Sequence, residues 1–226
     1  MSQLVQAPLL EAHNSGFGKD EHFFELMAKN IYQKGYSIHP NVLSVAFVTD
    51  LYRQLQDMAG GQFKQAGVGR ENTHTINNFV RTDEICWISG ESAAGRDWLC
   101  WAAALQAYLN RHLMLGLFSF ESHFAHYSPG DFYKKHLDAF KGEANRTLSL
   151  VVYLNPDWQP EEGGELVLYA EDGQHPIRVT PGFGTVVAFL SEEFPHEVLP
   201  TKRDRYSIAG WFRVNGSIDG RIDPPR

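Results

Sequence analysis

The stretch Arg146-Thr-Leu-Ser-Leu-Val-Val-Tyr-Leu-Asn155 decides the fold class. Successive side chains of a strand point to opposite faces. Thr147, Ser149, Val151 and Tyr153 therefore share one face, and Leu148, Leu150, Val152 and Leu154 the other. The second face is the more apolar and reads as core. The first is smaller and more polar, and its tyrosine can donate a hydroxyl to a bound acid.

The same texture extends to both sides. From about Phe118 short runs alternate with turn signals, giving candidate strands at 119–127, 132–137, 146–154, 165–170, 176–180, 184–190 and 205–213. The breaks are Ser128-Pro-Gly130, Asn155-Pro-Asp157, Gly163-Gly164, Glu171-Asp-Gly173, Pro181-Gly182 and Phe194-Pro195. Many short strands at regular spacing predict a sandwich or barrel.

The first half reads differently. Phe23, Phe24, Met27 and Ile31 recur at helical spacing from Asp20 until Gly35. A second helix is expected over 41–58. Residues 60–78, rich in Gly, Asn, Gln and Thr, read as a long loop. A strand follows over 84–88, then a helix over 95–113 with Trp98, Trp101, Leu105, Leu109 and Leu113 on one stripe. The expected architecture is mainly β with supporting helices packed on one sheet, as one domain over 1–226. Its helical part covers about 20–113, its β core about 118–213, and 216–226 is a loose tail.

The composition agrees. With 226 residues, 43% hydrophobic and 21% charged, the chain is long enough and apolar enough for an ordinary globular core. A net charge of −7 with no basic block makes it a poor nucleic-acid binder. No apolar run approaches the ~20 residues that span a bilayer, and Met1 to Leu10 lacks a secretory pattern. A cytoplasmic protein with no membrane partner is expected. Cys86 and Cys100, with no Cys-x-x-Cys, read as buried free thiols.

Four groups carry chemistry. In His136-Leu-Asp138, positions i and i+2 of a strand place an imidazole and a carboxylate on one face, where they can share an ion. A surface pair is the plainer reading of those two residues alone. His196, in Phe194-Pro-His196-Glu-Val198, follows an apolar strand. Two His and one carboxylate with open positions form the facial triad of non-haem iron oxygenases, but zinc uses similar donors, and His136, Asp138 and His196 alone do not decide between them. Arg205 tips the balance. Period-2 alternation sets it on one face with Ser207, Ala209 and Trp211, while Tyr206, Ile208 and Phe212 face the core. An arginine opening onto a space lined by small residues suits a carboxylate. The plainer alternative pairs Arg205 with Asp204 or Glu197. Tyr153 lies on the polar face described above.

Taken in order, these pieces resemble a known family. Tyr127-Ser-Pro-Gly-Asp-Phe-Tyr133-Lys-Lys-His136-Leu-Asp138, Arg146 to Asn155, Gly163-Gly-Glu-Leu166, Pro195-His-Glu-Val-Leu-Pro200 and Arg205-Tyr206 resemble the Fe(II)/2-oxoglutarate prolyl hydroxylases. The likeness is strongest to the hypoxia-inducible-factor type and its bacterial counterparts that act on elongation factor Tu. Val80 to Ile88 is similar to the Arg-x-Asp strand of that subfamily, so the likeness covers about 40–213. It implies a double-stranded β-helix (jelly-roll), with His136, Asp138 and His196 as iron ligands. Arg205 and Tyr153 would hold the distal carboxylate of 2-oxoglutarate, and Tyr127 would line its pocket. Trp211 and Leu166 would form hydrophobic walls, with Trp211 meeting the substrate. Arg81 and Asp83 would stand at the base of a mobile substrate loop over about 67–81. The implied reaction hydroxylates a prolyl residue at C4 in a protein, elongation factor Tu being the named candidate, while 2-oxoglutarate and O2 become succinate and CO2. Ascorbate stimulation and oxygen sensing belong to the same implication. Collagen-type enzymes carry lysine where Arg205 stands, which argues against that branch.

Other features read as structural. His123 and His126, three apart in a strand, face opposite sides and read as surface or packing residues. Gly67-x-Gly69 and Gly182-x-Gly184 read as turns, and the tryptophan stripe as core. The rival functions are an oxygenase of another peptide or a free amino acid, a cupin-like enzyme or zinc hydrolase, and a non-catalytic peptide-binding β-sandwich.

Overall fold

The structure, a computed structural model, describes residues 17–58, 61–66, 79–139, 145–170, 175–215, 217–218 and 221–222. The helices among them are α1 (Phe17–Lys34), α2 (Val45–Asp57) and α3 (Ala93–Leu113). The strands are β1 (Tyr36–His39), β2 (Lys64–Gln65), β3 (Glu84–Trp87), β4 (Leu117–Tyr127), β5 (Tyr133–His136), β6 (Arg146–Tyr153) and β7 (Leu166–Leu168). They continue as β8 (Ile177–Val179), β9 (Val186–Leu190), β10 (His196–Val198), β11 (Arg205–Val214), β12 (Ser217–Ile218) and β13 (Arg221–Ile222).

Two antiparallel sheets face one another. The major sheet has the order β1-β9-β6-β11-β4-β3-β2, and the minor sheet β5-β10-β7-β8. This is the expected double-stranded β-helix. The major sheet has two different faces, as the alternation in 146–155 requires. Leu148, Leu150, Val152, Ile208 and Phe212 turn to the helices, where they meet Met27, Leu51, Trp98, Leu105 and Leu109 in one buried cluster. Each such fully buried side chain contributes about 1.5–3 kcal/mol. The opposite face, with Tyr127, Tyr153 and Phe189, meets Leu166, Leu168 and Val198 of the minor sheet.

Serine caps set the starts of α2 and α3. Ser44 accepts from the Phe47 amide at 3.3 Å, and Ser92 from the Gly95 amide at 2.9 Å. Ser92 also donates to Gln54 at 2.8 Å, which ties α3 to α2. The Trp98 indole, inside the core stripe, donates to Ser122 of β4 at 2.9 Å. Asn155 accepts from the Tyr206 amide at 2.6 Å and donates to Tyr206 and Pro181 carbonyls, locking the end of β6 to β11.

Several expectations need correction. The second helix begins at Val45, because Asn41 takes a left-handed φ of 52° and Ser44 caps the helix. Residues 36–39 form a strand, β1, paired with β9. It is too short to show a period against the neighbouring helices. Within the expected loop over 60–78, Lys64–Gln65 pairs with β3. Residues 60 and 67–78 of that expectation, including Gly67-x-Gly69, lie outside the described residues. The strand expected over 132–137 stops at His136, so Asp138 sits in a bend after it. His196 lies in β10, a strand absent from those expected. In the expected loose tail, Ser217–Ile218 pairs with Arg221–Ile222. The two cysteines are free as expected, but Cys100 is exposed and Cys86 half-buried.

Candidate active site

Strand register builds the site row by row. On β11, Arg205, Ser207, Ala209 and Trp211 all face the minor sheet and line one cavity of about 300 Å³. Arg205 lies opposite Tyr127 of β4, and Ser207 between Ala125 of β4 and Tyr153 of β6. Ala209 lies between His123 and Val151, and Trp211 between Glu121 and Ser149. The cavity thus runs from a closed end at Arg205, 1% exposed, to an open side at Trp87, 55% exposed.

The minor sheet supplies the His-Asp-His group. His136 ends β5 and pairs in register with His196 of β10. The bend after β5 swings Asp138 between them. Asp138 Oδ1 lies 3.7 Å from His136 Nε2, and its Oδ2 3.6 Å from His196 Nε2. One donor atom from each residue falls within a 4.8 Å span. Both imidazoles point the same nitrogen inward for a local reason. His136 Nδ1 donates to the Lys134 carbonyl at 2.8 Å, and His196 Nδ1 to the Phe194 carbonyl at 3.0 Å. A carbonyl only accepts, so each Nδ1 carries a proton and each Nε2 is the nitrogen turned toward Asp138. Burial, with His196 alongside, holds His136 down to about 4, despite the opposing pull of Asp138. Burial alone would raise Asp138, but His196, His136 and the Ser149 hydroxyl outweigh it and bring the carboxyl to about 2. At neutral pH His136 is therefore a neutral imidazole and Asp138 a carboxylate, the forms that bind a divalent cation.

The closed end carries the cation. Arg205 Nε donates to the Gly164 carbonyl at 2.8 Å and Nη1 to Ser207 Oγ at 3.4 Å. Its guanidinium lies 4.8 Å from the Tyr127 ring centre and 5.1 Å from that of Tyr153. Arg205 forms no ion pair among the described residues. Asp204 hydrogen-bonds His126 instead, and Glu197 takes the Tyr169 hydroxyl. The Tyr153 hydroxyl is fully buried, faces Arg205 and has no hydrogen-bond partner among the described residues. Burial pushes its phenol up to about 12, and it pushes Tyr127 well above its ordinary value, so both stay protonated. A buried cation without an anion, next to a buried hydroxyl without an acceptor, is costly unless a ligand completes them. A carboxylate satisfies both. Gly164 shapes this end: its φ is +67°, and a Cβ there would stand 2.9 Å from Arg205 Cδ.

The other expected residues are placed as follows. Leu166 and Trp211 line the cavity. The Trp211 indole is capped by Arg146 at 3.7 Å, and its N–H faces Asp138 without closing a hydrogen bond. Arg81 also lines the cavity, stacked over Tyr133 at 4.3 Å. Asp83 lies fully buried behind the cavity wall and grips Arg81 through two hydrogen bonds, 2.7 and 2.5 Å. Tyr133 stacks on His136 with ring centres 3.6 Å apart.

Sequence reasoning missed three contributors. His123 does face away from His126, but it is not on the surface: it is 3% exposed, packs between Trp87 and Trp211 and lines the cavity. Counting back in twos from Tyr127 places it there. Arg146 and Ser149 also line the wall, and Ser149 hydrogen-bonds Asp138 at 2.7 Å. Ser149 shares the strand face of Tyr153, which was the available signal.

Comparison with known proteins agrees with this geometry. Residues 122–213 match the model of the 2OG-Fe(II) oxygenase superfamily. A crystal structure of a Pseudomonas putida prolyl-4-hydroxylase is 36% identical, with a TM-score of 0.78 over 85% of this chain and 100% of that one. A Trichoplax adhaerens prolyl hydroxylase, solved with a fragment of the hypoxia-inducible factor oxygen degradation domain, is 25% identical. Its TM-score is 0.75, over 87% of this chain and 91% of that one. Human Egl nine homolog 1 is 28% identical over 174 residues, 73% of this chain and 40% of that protein. The chain spans less than half the length of the curated relatives it matches. The family's cofactor and cosubstrates, Fe(II), 2-oxoglutarate and O2, suit a His-Asp-His group beside a carboxylate-seeking arginine. The chain belongs to the 2OG-Fe(II) oxygenase superfamily, among its prolyl-hydroxylase-type members.

Proposed function

We propose that the chain hydroxylates a prolyl residue at C4 within a protein, with His136, Asp138 and His196 holding Fe(II) and Arg205 and Tyr153 holding 2-oxoglutarate. The observation that carries this reading is the pairing of two unmet needs in one cavity. Two imidazole Nε2 atoms and a carboxylate converge at its side, and at its closed end wait a cation with no ion pair and a hydroxyl with no acceptor among the described residues. Bound iron supplies the dioxygen chemistry that couples decarboxylation of 2-oxoglutarate to C–H hydroxylation, leaving succinate and CO2.

The chain's own residues set the geometry. Arg205 and Tyr153 fix the distal carboxylate, so the keto-acid end is aimed at the metal group. Tyr127, kept protonated, and Leu166 narrow the cavity around the cosubstrate. Burial of Arg205 keeps water from competing for the carboxylate. Trp211 forms the wall on the open side, and Arg81, braced by Asp83, stands beside it, where a substrate peptide enters. Elongation factor Tu is the protein to test first, and oxygen sensing in the cytoplasm is the role this would serve.

The test is incubation of the iron-loaded chain with 2-oxoglutarate and proline-containing peptides of elongation factor Tu, read by mass spectrometry. A product one oxygen heavier at proline, absent when 2-oxoglutarate is withheld, supports the reading. Succinate formation with no modified proline in any peptide or in the intact factor would remove that substrate.

A further inference from the structure

The His-Asp-His group rests on a pair of buried hydroxyls. Ser149 Oγ donates to Asp138 Oδ2 at 2.7 Å. The same Oγ lies 2.9 Å from Ser191 Oγ. Ser149 is 1% exposed and Ser191 0%, so water does not compete for either hydroxyl. Since Ser149 gives its proton to the carboxylate, the second contact is a donation from Ser191 into Ser149. The order is Ser191 to Ser149 to Asp138, each hydroxyl polarising the next. Both serines are anchored by backbone. Ser149 sits inside β6, in register with Phe189 of β9 and Trp211 of β11. The Ser191 amide, just past β9, donates to the Thr147 carbonyl at 3.0 Å.

Asp138 needs this support because of where it stands. It is outside β5, in a bend, with no strand pairing to fix its backbone. A carboxylate in that position can rotate and offer either oxygen, or both, to an ion. The Ser149 hydrogen bond occupies a lone pair of Oδ2 and sets the plane of the group. Oδ1, 3.7 Å from His136 Nε2, is the oxygen that the Ser149 hydroxyl does not take. We infer that the Ser191–Ser149 pair is a positioning device that fixes Asp138 as a one-oxygen ligand through Oδ1. This rests on the reading of His136, Asp138 and His196 as the metal group. Neither serine touches the ion, cosubstrate or substrate in this account.

The test uses the metal alone. The metal-free 226-residue chain is titrated with Co(II), whose visible absorption reports coordination number and geometry, and affinity is read by calorimetry. Thermal unfolding of each metal-free variant reports the fold. Ser149→Ala should weaken Co(II) binding about ten- to a hundredfold and alter the absorption band, with the metal-free melting temperature held near wild type. Ser149→Thr, which restores a hydroxyl on the same strand face, should recover both affinity and band. Ser191→Ala should give a smaller loss in the same direction. Wild-type affinity and spectrum in Ser149→Ala overturn the proposal. So does equal weakening in the Ala and Thr variants with a lowered metal-free melting temperature, because that is a packing role. His136→Ala separates the two readings. If it abolishes binding while Ser149→Ala does not, the hydroxyl relay fails and the metal group stands. If it binds Co(II) as wild type does, the metal group fails and takes the relay with it.

Discussion

His136 and His196 face each other across the antiparallel pairing of β5 and β10, with ring centres 4.2 Å apart and both Nδ1 atoms tied to local carbonyls. Neither residue's neighbours in sequence announce this. The register of a short strand pair makes them partners, and the bend after β5 adds Asp138. The donor set is therefore a property of the minor sheet, while the anion site belongs to the major sheet.

Removing a donor should end the chemistry. His136→Ala or Asp138→Ala is expected to abolish turnover together with Fe(II) binding, by loss of one of three ligands. Full activity in either variant would refute the ligand assignment.

The anion site separates from the metal group. Arg205→Ala should raise the concentration of 2-oxoglutarate needed for half-maximal turnover far more than that of iron. Steady-state titrations of each at saturating levels of the other make the comparison. Equal effects on both would count against Arg205 as the carboxylate clamp.

Tyr153→Phe isolates the unpartnered hydroxyl. Because that oxygen makes no hydrogen bond within the described chain, its removal should leave the melting temperature unchanged or slightly higher. Loss of a hydrogen bond to a charged ligand, about 1.5 kcal/mol or more, should weaken 2-oxoglutarate binding at least tenfold. Unchanged affinity by calorimetry would remove Tyr153 from the site.

Gly164→Ala tests the mould around the guanidinium. The backbone there is left-handed, and the added methyl meets Arg205 and Thr201. A loss of about 1–3 kcal/mol in stability is expected, with weaker 2-oxoglutarate binding. Wild-type behaviour in urea unfolding and in binding would show that the close approach has no consequence.

Acid should unfold the metal-free protein earlier than carboxylates alone would. His123 and His136 are each held near 4 in the fold, against 6.5 as the ordinary value, with burial the largest cause. Below about pH 6.5 the unfolded chain takes up two protons that the fold refuses, so stability falls as pH drops from there toward 4. In the middle of that window the slope is about 2.7 kcal/mol per pH unit. Asp138 acts lower: its stabilisation is complete above its ordinary 3.8 and lost as pH falls through about 2. Urea titrations of metal-free protein between pH 7 and 4.5 measure the slope, and a flat profile would contradict the two buried neutral imidazoles.

What was legible in sequence follows from period. The alternation in 146–155 and 205–213 gave both faces of the central strands, and with them Tyr153 and Arg205 on the cavity side. The helical stripe of α3 was equally plain. Local geometry was not. Nothing in His136-Leu-Asp138 shows that the strand stops at His136, because the stop depends on pairing with β10. The four-residue β1 and three-residue β10 are too short for a period and exist through their partners. His123 had the right parity, but parity alone does not reveal that Trp87 and Trp211 close around it. Cys100, within α3, is exposed although its residue type predicts burial, because it falls off the apolar stripe.

The most direct test of the central claim is an anaerobic titration of the protein with Fe(II), with and without 2-oxoglutarate, watching for the weak visible charge-transfer band of a chelated keto acid. The account predicts a band that requires both components and disappears in Arg205→Ala. Iron binding with no band in the wild-type protein would contradict it, leaving the metal group in place and 2-oxoglutarate without a site.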